Sequence, residues 1–257
     1  MEKFKELFKF NSSKAFFVGI ERECFLTNKH GEIIPIANKV LEYMVGPSLC
    51  NDSWGYELSA CQLESRSTPC VIDKLKTNLE VLEKEVLIAE KKVGFLRSHF
   101  EVASENMPLD VFPDPTGRYQ EIVKKMPREI LLAACRVIGT HVHIGMPNYE
   151  VALRVYNGVT KHTDRLSKLG DKSKGQRLEI YKTVCPDCKP PIYSDWHEFH
   201  AKAVEKNFVF DPRKCWTLIR ISKNGTIEFR MFGTTDDIDE IVGWAKDCYS
   251  ICKEALL

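Results

Sequence analysis

The chain has 257 residues, of which 44% are hydrophobic and 28% charged, and its 37 Lys and Arg nearly balance its 36 Asp and Glu. These values are typical of a globular protein, and the near-zero net charge argues against a nucleic-acid-binding surface. No apolar run approaches the about 18–20 residues that span a bilayer, and the N-terminus has no apolar core of signal-peptide length. We therefore expect a cytoplasmic protein with small-molecule partners, which binds neither nucleic acid nor membrane.

The ten cysteines are scattered along the chain, which favours reduced, mostly buried thiols. Cys185 and Cys188 form a lone CxxC pair that could belong to a zinc knuckle or a redox site. Structural zinc needs four ligands, and the candidates His197 and His200 lie on a predicted helix beside aromatic residues. A loop carrying two thiols is the favoured interpretation.

The first predicted strand covers residues 16–26, where β-branched and aromatic residues alternate with polar ones. Its alternation puts Glu21 and Glu23 on one face. A short helix is expected at 38–45, followed by an irregular second strand at 54–66.

A long amphipathic helix is predicted over about 73–98, because apolar residues recur at steps of three and four. This stripe favours one helix lying on a sheet, with a dimerising coiled coil as the alternative. Residues 105–117 form a proline-rich loop. The stripe consists of Leu75, Leu79, Leu82, Val86, Ala89, Val93 and Leu96.

The middle of the chain continues with a helix from Arg118 that bends or ends at Pro127, and a second piece that reaches about residue 137. A short strand follows at 139–145. A helix is then predicted over about 148–169, and the glycine after it is a typical helix end.

The last third begins with a basic segment at 170–193, read as one long loop or as two loops around a short element. A helix at 195–206, a hairpin at 216–232 and a helix at about 236–255 follow. Because the strands are dispersed without regular βαβ alternation, we expect one α+β domain, residues 1–257, with a mainly antiparallel sheet.

The hairpin turn at Asn224-Gly225 allows two registers. A two-residue turn would leave Arg220 on the opposite face of the sheet from Glu228. A three-residue loop with Gly225 left-handed would pair Arg220 with Glu228 and gather both with Arg230 on one face. We predict the second register.

Paired carboxylates are the first sign of chemistry. Glu21 and Glu23 lie about 7 Å apart along a strand, so they would repel each other unless a cation lies between them or water solvates that face. Glu57 and Glu64 have an odd spacing, which places them on opposite faces of a straight strand. They can converge only if the segment bulges or turns between them.

Two further pairs lie on later strands. His141 and His143 share a face, as two metal ligands or as one ligand and one hydrogen-bonding histidine. Glu228 and Arg230 also share a face, where they could form a surface ion pair. A guanidinium there would suit a phosphate or a carboxylate, since its planar fork donates two hydrogen bonds.

Five segments in this order, GIERE, YELSACQLES, RY at 118–119, GTHVHIG and GTIEFRMF, resemble the bacterial type 2 glutamate–cysteine ligase family of carboxylate–amine ligases. The similarity covers most of residues 16–233. It implies the curved antiparallel sheet of the glutamine synthetase catalytic domain, with helices packed on the other face. It also implies ATP-dependent activation of the γ-carboxylate of glutamate and its coupling to an amine such as cysteine, with two or more Mg²⁺ or Mn²⁺ ions. A homo-oligomer is compatible with this similarity.

The resemblance assigns six metal ligands. One metal beside the substrate amino acid would be held by Glu23, Glu57 and Glu64. A second metal beside the nucleotide phosphates would be held by Glu21, His141 and Glu228.

The resemblance also assigns the groups that bind substrates. His143 would lie near the nucleotide, and Arg118 matches a motif arginine with an expected role in cofactor binding. Arg220 and Arg230 would act in catalysis by steadying phosphates or the substrate carboxylate, and Arg220 would also contact the cofactor. Arg177 has only a loose counterpart.

Two features depart from the family pattern. An aspartate that often follows the ExR strand is replaced by Gly233-Thr234-Thr235, and the chain is shorter than typical members. Two other functions remain as alternatives: a metal-dependent hydrolase that uses His141 and His143, and a non-catalytic module that binds a nucleotide or an amino acid. For the ligase, we expect Glu21→Gln and Glu228→Gln each to abolish turnover and to leave the thermal midpoint largely unchanged.

Overall fold

The computed structural model describes all 257 residues and contains one seven-stranded sheet. Its strand order is β2-β3-β1-β5-β7-β6, with β4 paired to the free part of β1, and every pairing is antiparallel. The predicted α+β fold with a mainly antiparallel sheet is confirmed. The strands are β1 Val18–Thr27, β2 Trp54–Tyr56, β3 Gln62–Arg66, β4 Leu96–Ser98, β5 Thr140–Gly145, β6 Ile219–Ile221 and β7 Thr226–Phe232.

Helices occupy most of the remaining chain, and none of them is long and apolar enough to cross a membrane. A four-residue helix at the N-terminus was not predicted from the sequence. The helices are α1 Glu2–Lys5, α2 Ala37–Val45, α3 Leu75–Ala89, α4 Arg118–Val123, α5 Arg128–Cys135, α6 Tyr149–Val159, α7 Thr163–Leu169, α8 Gln176–Val184, α9 Trp196–Glu205 and α10 Ile238–Glu254.

The two faces of the sheet differ in character because side chains alternate along each strand. Val18 and Ile20 of β1 are buried with Val142 and Ile144 of β5 in the main hydrophobic core, together with residues of α3, α6, α9 and α10. The carboxylates of β1 project from the opposite face. The helices of the main core therefore pack on the face away from the candidate site, as expected.

The segment 54–66 is not one irregular strand, as expected from the sequence, but two antiparallel strands, β2 and β3. Gly55 of β2 lies opposite Glu64 of β3, and Glu57 lies two positions beyond Gly55. Since residues two apart share a face, Glu57 and Glu64 end on the same side. The reversal of the chain resolves their odd spacing.

The predicted helix at 73–98 is too long. Helix α3 ends at Ala89, a π-helical turn follows at Glu90–Gly94, and Leu96 belongs to β4. Gly94 has a φ of +83°, a left-handed conformation that ends a helix. Leu96, the last residue of the predicted stripe, is exposed, whereas Phe95 beside it is buried with Leu82, Val86 and Ala89 in a second hydrophobic cluster. Helix α3 packs against other elements of the same chain, in agreement with the prediction of one amphipathic helix that lies on a sheet.

Two other boundaries differ from expectation. The helix predicted at 148–169 is divided by a 3₁₀ turn at Thr160–His162 into α6 and α7. The basic segment 170–193 contains α8, so the alternative with a short element between two loops is correct. The first strand begins at Val18, two residues late, since Phe16 has a φ of +60°.

The β6–β7 hairpin has the predicted register. Arg220 pairs with Glu228, and the amide of Ser222 donates to the carbonyl of Thr226 at 2.9 Å. Gly225 has a φ of +73°, as the three-residue loop requires. Arg220, Glu228 and Arg230 therefore lie on one face.

Candidate active site

The first cluster joins carboxylates from β1, β3 and the turn after β2. Glu23 and Glu64 are directly opposite each other across the strand pair, and Glu57 reaches the same point from the turn. One oxygen from each of the three lies within 4.8 Å of the others. The structure thus brings together the three residues expected to hold the metal beside the amino acid.

This cluster is short of positive charge. Burial and the nearby Glu23 raise the pKa of Glu57 to about 7, and burial together with Glu57 raises the pKa of Glu64 well above its usual value. The one arginine or lysine that forms an ion pair with the cluster is Arg66, whose Nε lies 3.3 Å from Oε1 of Glu64. Crowded carboxylate oxygens of this kind fit a divalent cation such as Mg²⁺ or Mn²⁺.

The second cluster lies next to the first and contains a histidine. Atoms of Glu21, His143 and Glu228 lie within 4.8 Å of one another. Nδ1 of His143 is 2.8 Å from the hydroxyl of Thr226, whereas its buried Nε2 has no hydrogen-bond partner and lies 3.4 Å from Oε2 of Glu21. An imidazole fixed through one nitrogen, with the other nitrogen free, fits a metal ligand.

His141 lies between the two clusters. Its Nδ1 is 3.3 Å from Oε2 of Glu21 and 3.9 Å from Oε1 of Glu228, and its Nε2 is 3.9 Å from Oε1 of Glu23. Burial opposes ionisation of Glu21, but His143 and His141 outweigh it and lower the pKa of this carboxyl. His141 therefore lies as close to the two carboxylates of the second cluster as His143 does, although the set whose donor atoms all lie within 4.8 Å of one another contains His143. The resemblance assigned His141 to the second metal. Which of the two histidines binds a metal stays a prediction.

Two arginines hold the carboxylate of Glu228. Nε of Arg220 donates to Oε2 at 2.7 Å, and Arg230 donates to Oε1. Burial opposes the charge on Glu228, yet the two guanidinium groups lower its pKa strongly. Positive charge is thereby concentrated beside the second cluster, an arrangement that suits the transfer of a phosphoryl group.

Two cavities adjoin the carboxylates and share Glu21. The larger, of about 480 Å³, borders His143 and the second cluster and is lined by the cationic residues Lys9, Lys14 and Arg66. The smaller, of about 270 Å³, borders the first cluster and contains Arg118 and Arg230 among its lining residues. Arg118 and Arg220 both line the smaller cavity, whereas His143 lines the larger one.

Arg177 is buried and holds the backbone of the site strands. Its Nε, Nη1 and Nη2 donate to the carbonyls of Ile138, Met231 and Arg230 at 2.6, 3.2 and 3.3 Å. No residue pattern indicated this role, because the acceptors are main-chain atoms. The lysines at the larger cavity were also missed, since they lie in an N-terminal segment without a motif.

Cys185 and Cys188 are free thiols, and neither is grouped with other potential metal ligands. His200 packs edge-on against the ring of Phe4, with the ring centroids 5.2 Å apart. The favoured interpretation of two thiols in a loop agrees with this placement.

No family model matches the chain. A protein of Roseiflexus sp. named "Putative glutamate--cysteine ligase 2" is 24% identical over 251 residues, which cover 90% of this chain and 64% of the relative. A protein of Rubrobacter xylanophilus named "Putative glutamate--cysteine ligase 2-3" is 26% identical over 96% of this chain and 72% of its own length. The resemblance drawn from the five segments is confirmed.

Among solved structures, a bifunctional glutathione synthetase from Pasteurella multocida matches 99% of this chain and 41% of its own chain with a TM-score of 0.61. Its sequence is only 12% identical, so this likeness establishes the fold alone. The chain spans less than two thirds of the length of the Roseiflexus relative.

Proposed function

We propose that this chain is an ATP-dependent carboxylate–amine ligase that activates the γ-carboxylate of glutamate as an acyl phosphate and joins it to an amine. The observation that carries this proposal is the pair of adjacent clusters on one face of the sheet, each of which offers three donor atoms within 4.8 Å. The names of the relatives support it over nine tenths of the chain.

The donor sets of both clusters fit hard divalent cations, since carboxylate oxygens predominate. Cations bound there would screen the γ-phosphate of ATP from the attacking carboxylate. Glu23, Glu57 and Glu64 would hold one cation, and Glu21 and Glu228 with His141 or His143 would hold the other. The protein's own contribution is a rigid sheet that keeps these side chains in place before substrates arrive.

Arg220 and Arg230 would stabilise the negative charge of the transferring phosphoryl group, because both guanidinium groups already lie against Glu228 at the second cluster. Because these two guanidinium groups are already in place, they need not reorganise when the charge develops. This is the catalytic role that we assign to them.

The nucleotide would occupy the larger cavity. It borders His143 and the second cluster, its volume is about 480 Å³, and its mostly polar lining carries Lys9, Lys14 and Arg66 beside the acidic Glu21 and Asp52. A polyanion is the ligand that such a lining favours. The amino acid and the amine would occupy the smaller cavity at the first cluster.

The test is a hydroxamate assay. The protein is incubated with ATP, Mg²⁺, glutamate and hydroxylamine, and we expect γ-glutamyl hydroxamate and ADP in equal amounts. No product with any amino acid, even at high Mn²⁺, would favour a non-catalytic binding module. Zinc-dependent hydrolysis that proceeds without ATP would favour the hydrolase.

A further inference from the structure

Glu101 carries a buried carboxylate that the proposed mechanism does not use. It lies three residues beyond β4, is 4% exposed and forms no salt bridge. Its Oε1 accepts the main-chain amide of Lys172 at 2.8 Å, and its Oε2 accepts that of Ser173 at 3.0 Å. Because burying a carboxylate costs free energy even when it is hydrogen-bonded, its presence inside the fold needs a reason.

Glu101 belongs to a closed ring of four hydrogen bonds. Its carbonyl accepts the amide of Ile138 at 3.2 Å, and the carbonyl of Ile138 accepts Nε of Arg177 at 2.6 Å. The amide of Arg177 donates to Oγ of Ser173 at 2.9 Å, and the amide of Ser173 donates to Glu101. The ring therefore fixes Arg177, near the start of α8, against the segment that precedes β5.

This ring leads directly to a ligand of the first cluster. Gly139 follows the ring residue Ile138, and its amide donates to Oε2 of Glu23 at 2.7 Å. The guanidinium of Arg177 lies so close to Gly139 that a Cβ there would be 2.9 Å from Cζ. A displacement of Arg177 would therefore change the orientation of the Gly139 amide, and with it the orientation of the Glu23 carboxylate.

The charge of Arg177 also needs compensation. This residue is 4% exposed, and its three acceptors are neutral carbonyls. Burial lowers the pKa of the guanidinium, and the negative charges of Glu23 and Glu101 oppose this decrease. A divalent cation at the first cluster would take up the charge of Glu23, which leaves Glu101 to balance Arg177. Without Glu101, the buried guanidinium would repel that cation.

We propose that Glu101 is a positioning residue for the first metal cluster and acts through Arg177. The hydrogen-bonded ring fixes the guanidinium, and the carboxylate compensates its charge when a cation is bound. The inference rests on the proposed function, which assigns a cation to this cluster. Glu101 lies outside the five segments that carry the sequence resemblance, and it is not one of the three ligands.

Mn²⁺ binding by the full chain tests this inference without substrates. Glu101→Gln removes the charge and replaces one acceptor oxygen with an NH₂ group that faces an amide donor. We expect the Kd for Mn²⁺ at the first cluster to rise at least about tenfold, as when an outer-shell partner of a metal site is lost. Isothermal titration at pH 8 measures it, and unfolded protein lowers the stoichiometry rather than the affinity.

Two variants separate the local charge from the net charge. Glu101→Asp keeps the carboxylate on a shorter side chain, so its Kd should lie closer to that of the wild type than the Kd of Glu101→Gln does. Glu105→Gln is the matched control, because it removes the same charge from an exposed side chain in the same segment. It should leave the Kd unchanged. An equal rise in Glu105→Gln, or no recovery in Glu101→Asp, would overturn the proposal.

A Glu57→Gln background assigns the effect to one cluster. This substitution removes a ligand of the first cluster, so the Mn²⁺ binding that remains belongs to the second cluster. Adding Glu101→Gln should then cause no further rise in Kd. A rise as large as that in the wild-type background would show that Glu101 acts at another site, which contradicts the inference.

The hydroxamate assay distinguishes this inference from the proposed function. If the wild type binds Mn²⁺ but forms no hydroxamate, the ligase proposal fails, and the titrations still decide the role of Glu101. If hydroxamate forms, Glu101→Gln should raise the Mg²⁺ concentration for half-maximal activity, and saturating Mg²⁺ should recover most of kcat. A loss of kcat with an unchanged Kd for Mn²⁺ would mean a purely structural role and would reject the inference alone.

Discussion

Arg220 and Glu228 face each other across the β6–β7 hairpin, with Nε of the arginine 2.7 Å from Oε2 of the carboxylate. Arg230 donates to the other oxygen, and Glu228 is only 1% exposed. A buried carboxylate between two guanidinium groups cannot lose its charge without leaving them uncompensated. Catalytic electrostatics and fold stability are therefore coupled at Glu228.

Glu228→Gln should consequently affect both activity and stability. We expect turnover to fall by about 100-fold or more, because the second cluster loses a charged ligand. We also expect the free energy of unfolding to fall by about 3 kcal/mol, which lowers the thermal midpoint by roughly 6–12 °C in a chain of this size. The sequence alone predicts a largely unchanged thermal midpoint. Calorimetry decides between these two expectations for the midpoint, and the hydroxamate assay measures the loss of turnover.

A double variant provides the control. Arg220→Gln together with Glu228→Gln removes one charge of each sign, so part of the lost stability should return although turnover stays low. The coupling between the two substitutions should be at least about 1 kcal/mol, as for residues in direct contact. Strictly additive effects would mean that the ion pair contributes little.

Divalent cations should stabilise the protein in a pH-dependent way through the first cluster. The pKa of Glu57 is raised to about 7, and that of Glu64 is raised well above the ordinary value of 4.5. A raised pKa in the folded state favours folding below pH 4.5, and this contribution is lost as the pH rises through about 7. Without metal, the thermal midpoint should therefore fall between about pH 5 and pH 8.

Millimolar Mg²⁺ or Mn²⁺ should restore much of that midpoint at pH 8 and have little effect at pH 5, because protons compete with the cation for the same oxygens. Glu57→Gln should weaken this stabilisation. Glu42→Gln, at an exposed carboxylate on α2, should leave it unchanged. A midpoint at pH 8 that does not respond to either cation would contradict a metal site at this cluster.

The sequence predicted those parts of the fold that follow from local pattern. The alternation in β1 placed Glu21 and Glu23 on one face, and the preference for a three-residue loop fixed the pairing of Arg220 with Glu228. The choice between a bulge and a turn from Glu57 to Glu64 was left open, because the chain there has no Gly or Pro to mark a turn. Tertiary packing decided it.

The same limit applies to the site. Five ordered segments pointed to the residues that converge, but they did not show that His143 joins Glu21 and Glu228 in a set of donor atoms within 4.8 Å of one another. Nor could they show that the guanidinium of Arg118 lies over the ring of Tyr119 while that of Arg177 donates to three carbonyls. Hydrogen bonds to main-chain carbonyls leave no trace in residue type.

A second ion network, on the helix side of β1, should control stability at acid pH. Arg22 and Arg97 both donate to Glu83, with distances of 2.6–2.9 Å, and Arg22 is 4% exposed. Burial opposes the charge on Glu83, but the two arginines outweigh it and lower its pKa to about 2. A lowered pKa in the folded state stabilises the fold above pH 4.5, and this stabilisation is lost as the pH falls towards 2.

Glu83→Gln should therefore lower the free energy of unfolding at pH 7 by about 2–3 kcal/mol and flatten the decline between pH 4.5 and pH 2. Urea titrations at a series of pH values measure both effects. Turnover below the thermal midpoint should stay near the wild-type rate, since Glu83 lies on the opposite side of the sheet from the carboxylate clusters. If the free energy of unfolding of the variant declines between pH 4.5 and pH 2 as steeply as that of the wild type, Glu83 does not control stability at acid pH.

Gly139 should tolerate no side chain, because it lies where Arg177 crosses the start of β5. A Cβ there would come 2.9 Å from Cζ of Arg177 and 2.8 Å from the carbonyl oxygen of Phe232, both closer than ordinary contact. Arg177 is buried and held by three carbonyls, one of them that of Arg230, so it cannot move without disturbing the strand that carries Glu228. Gly139→Ala should cost about 1–3 kcal/mol of stability, as overpacking does, and lower kcat by at least tenfold.

Gly243→Ala is the matched control, since a Cβ on that α10 glycine meets nothing within 4 Å. It should instead raise stability by about 0.5–1 kcal/mol and leave kcat unchanged, and equal effects of the two substitutions in calorimetry and the hydroxamate assay would rule out the close approach of Arg177 as the cause.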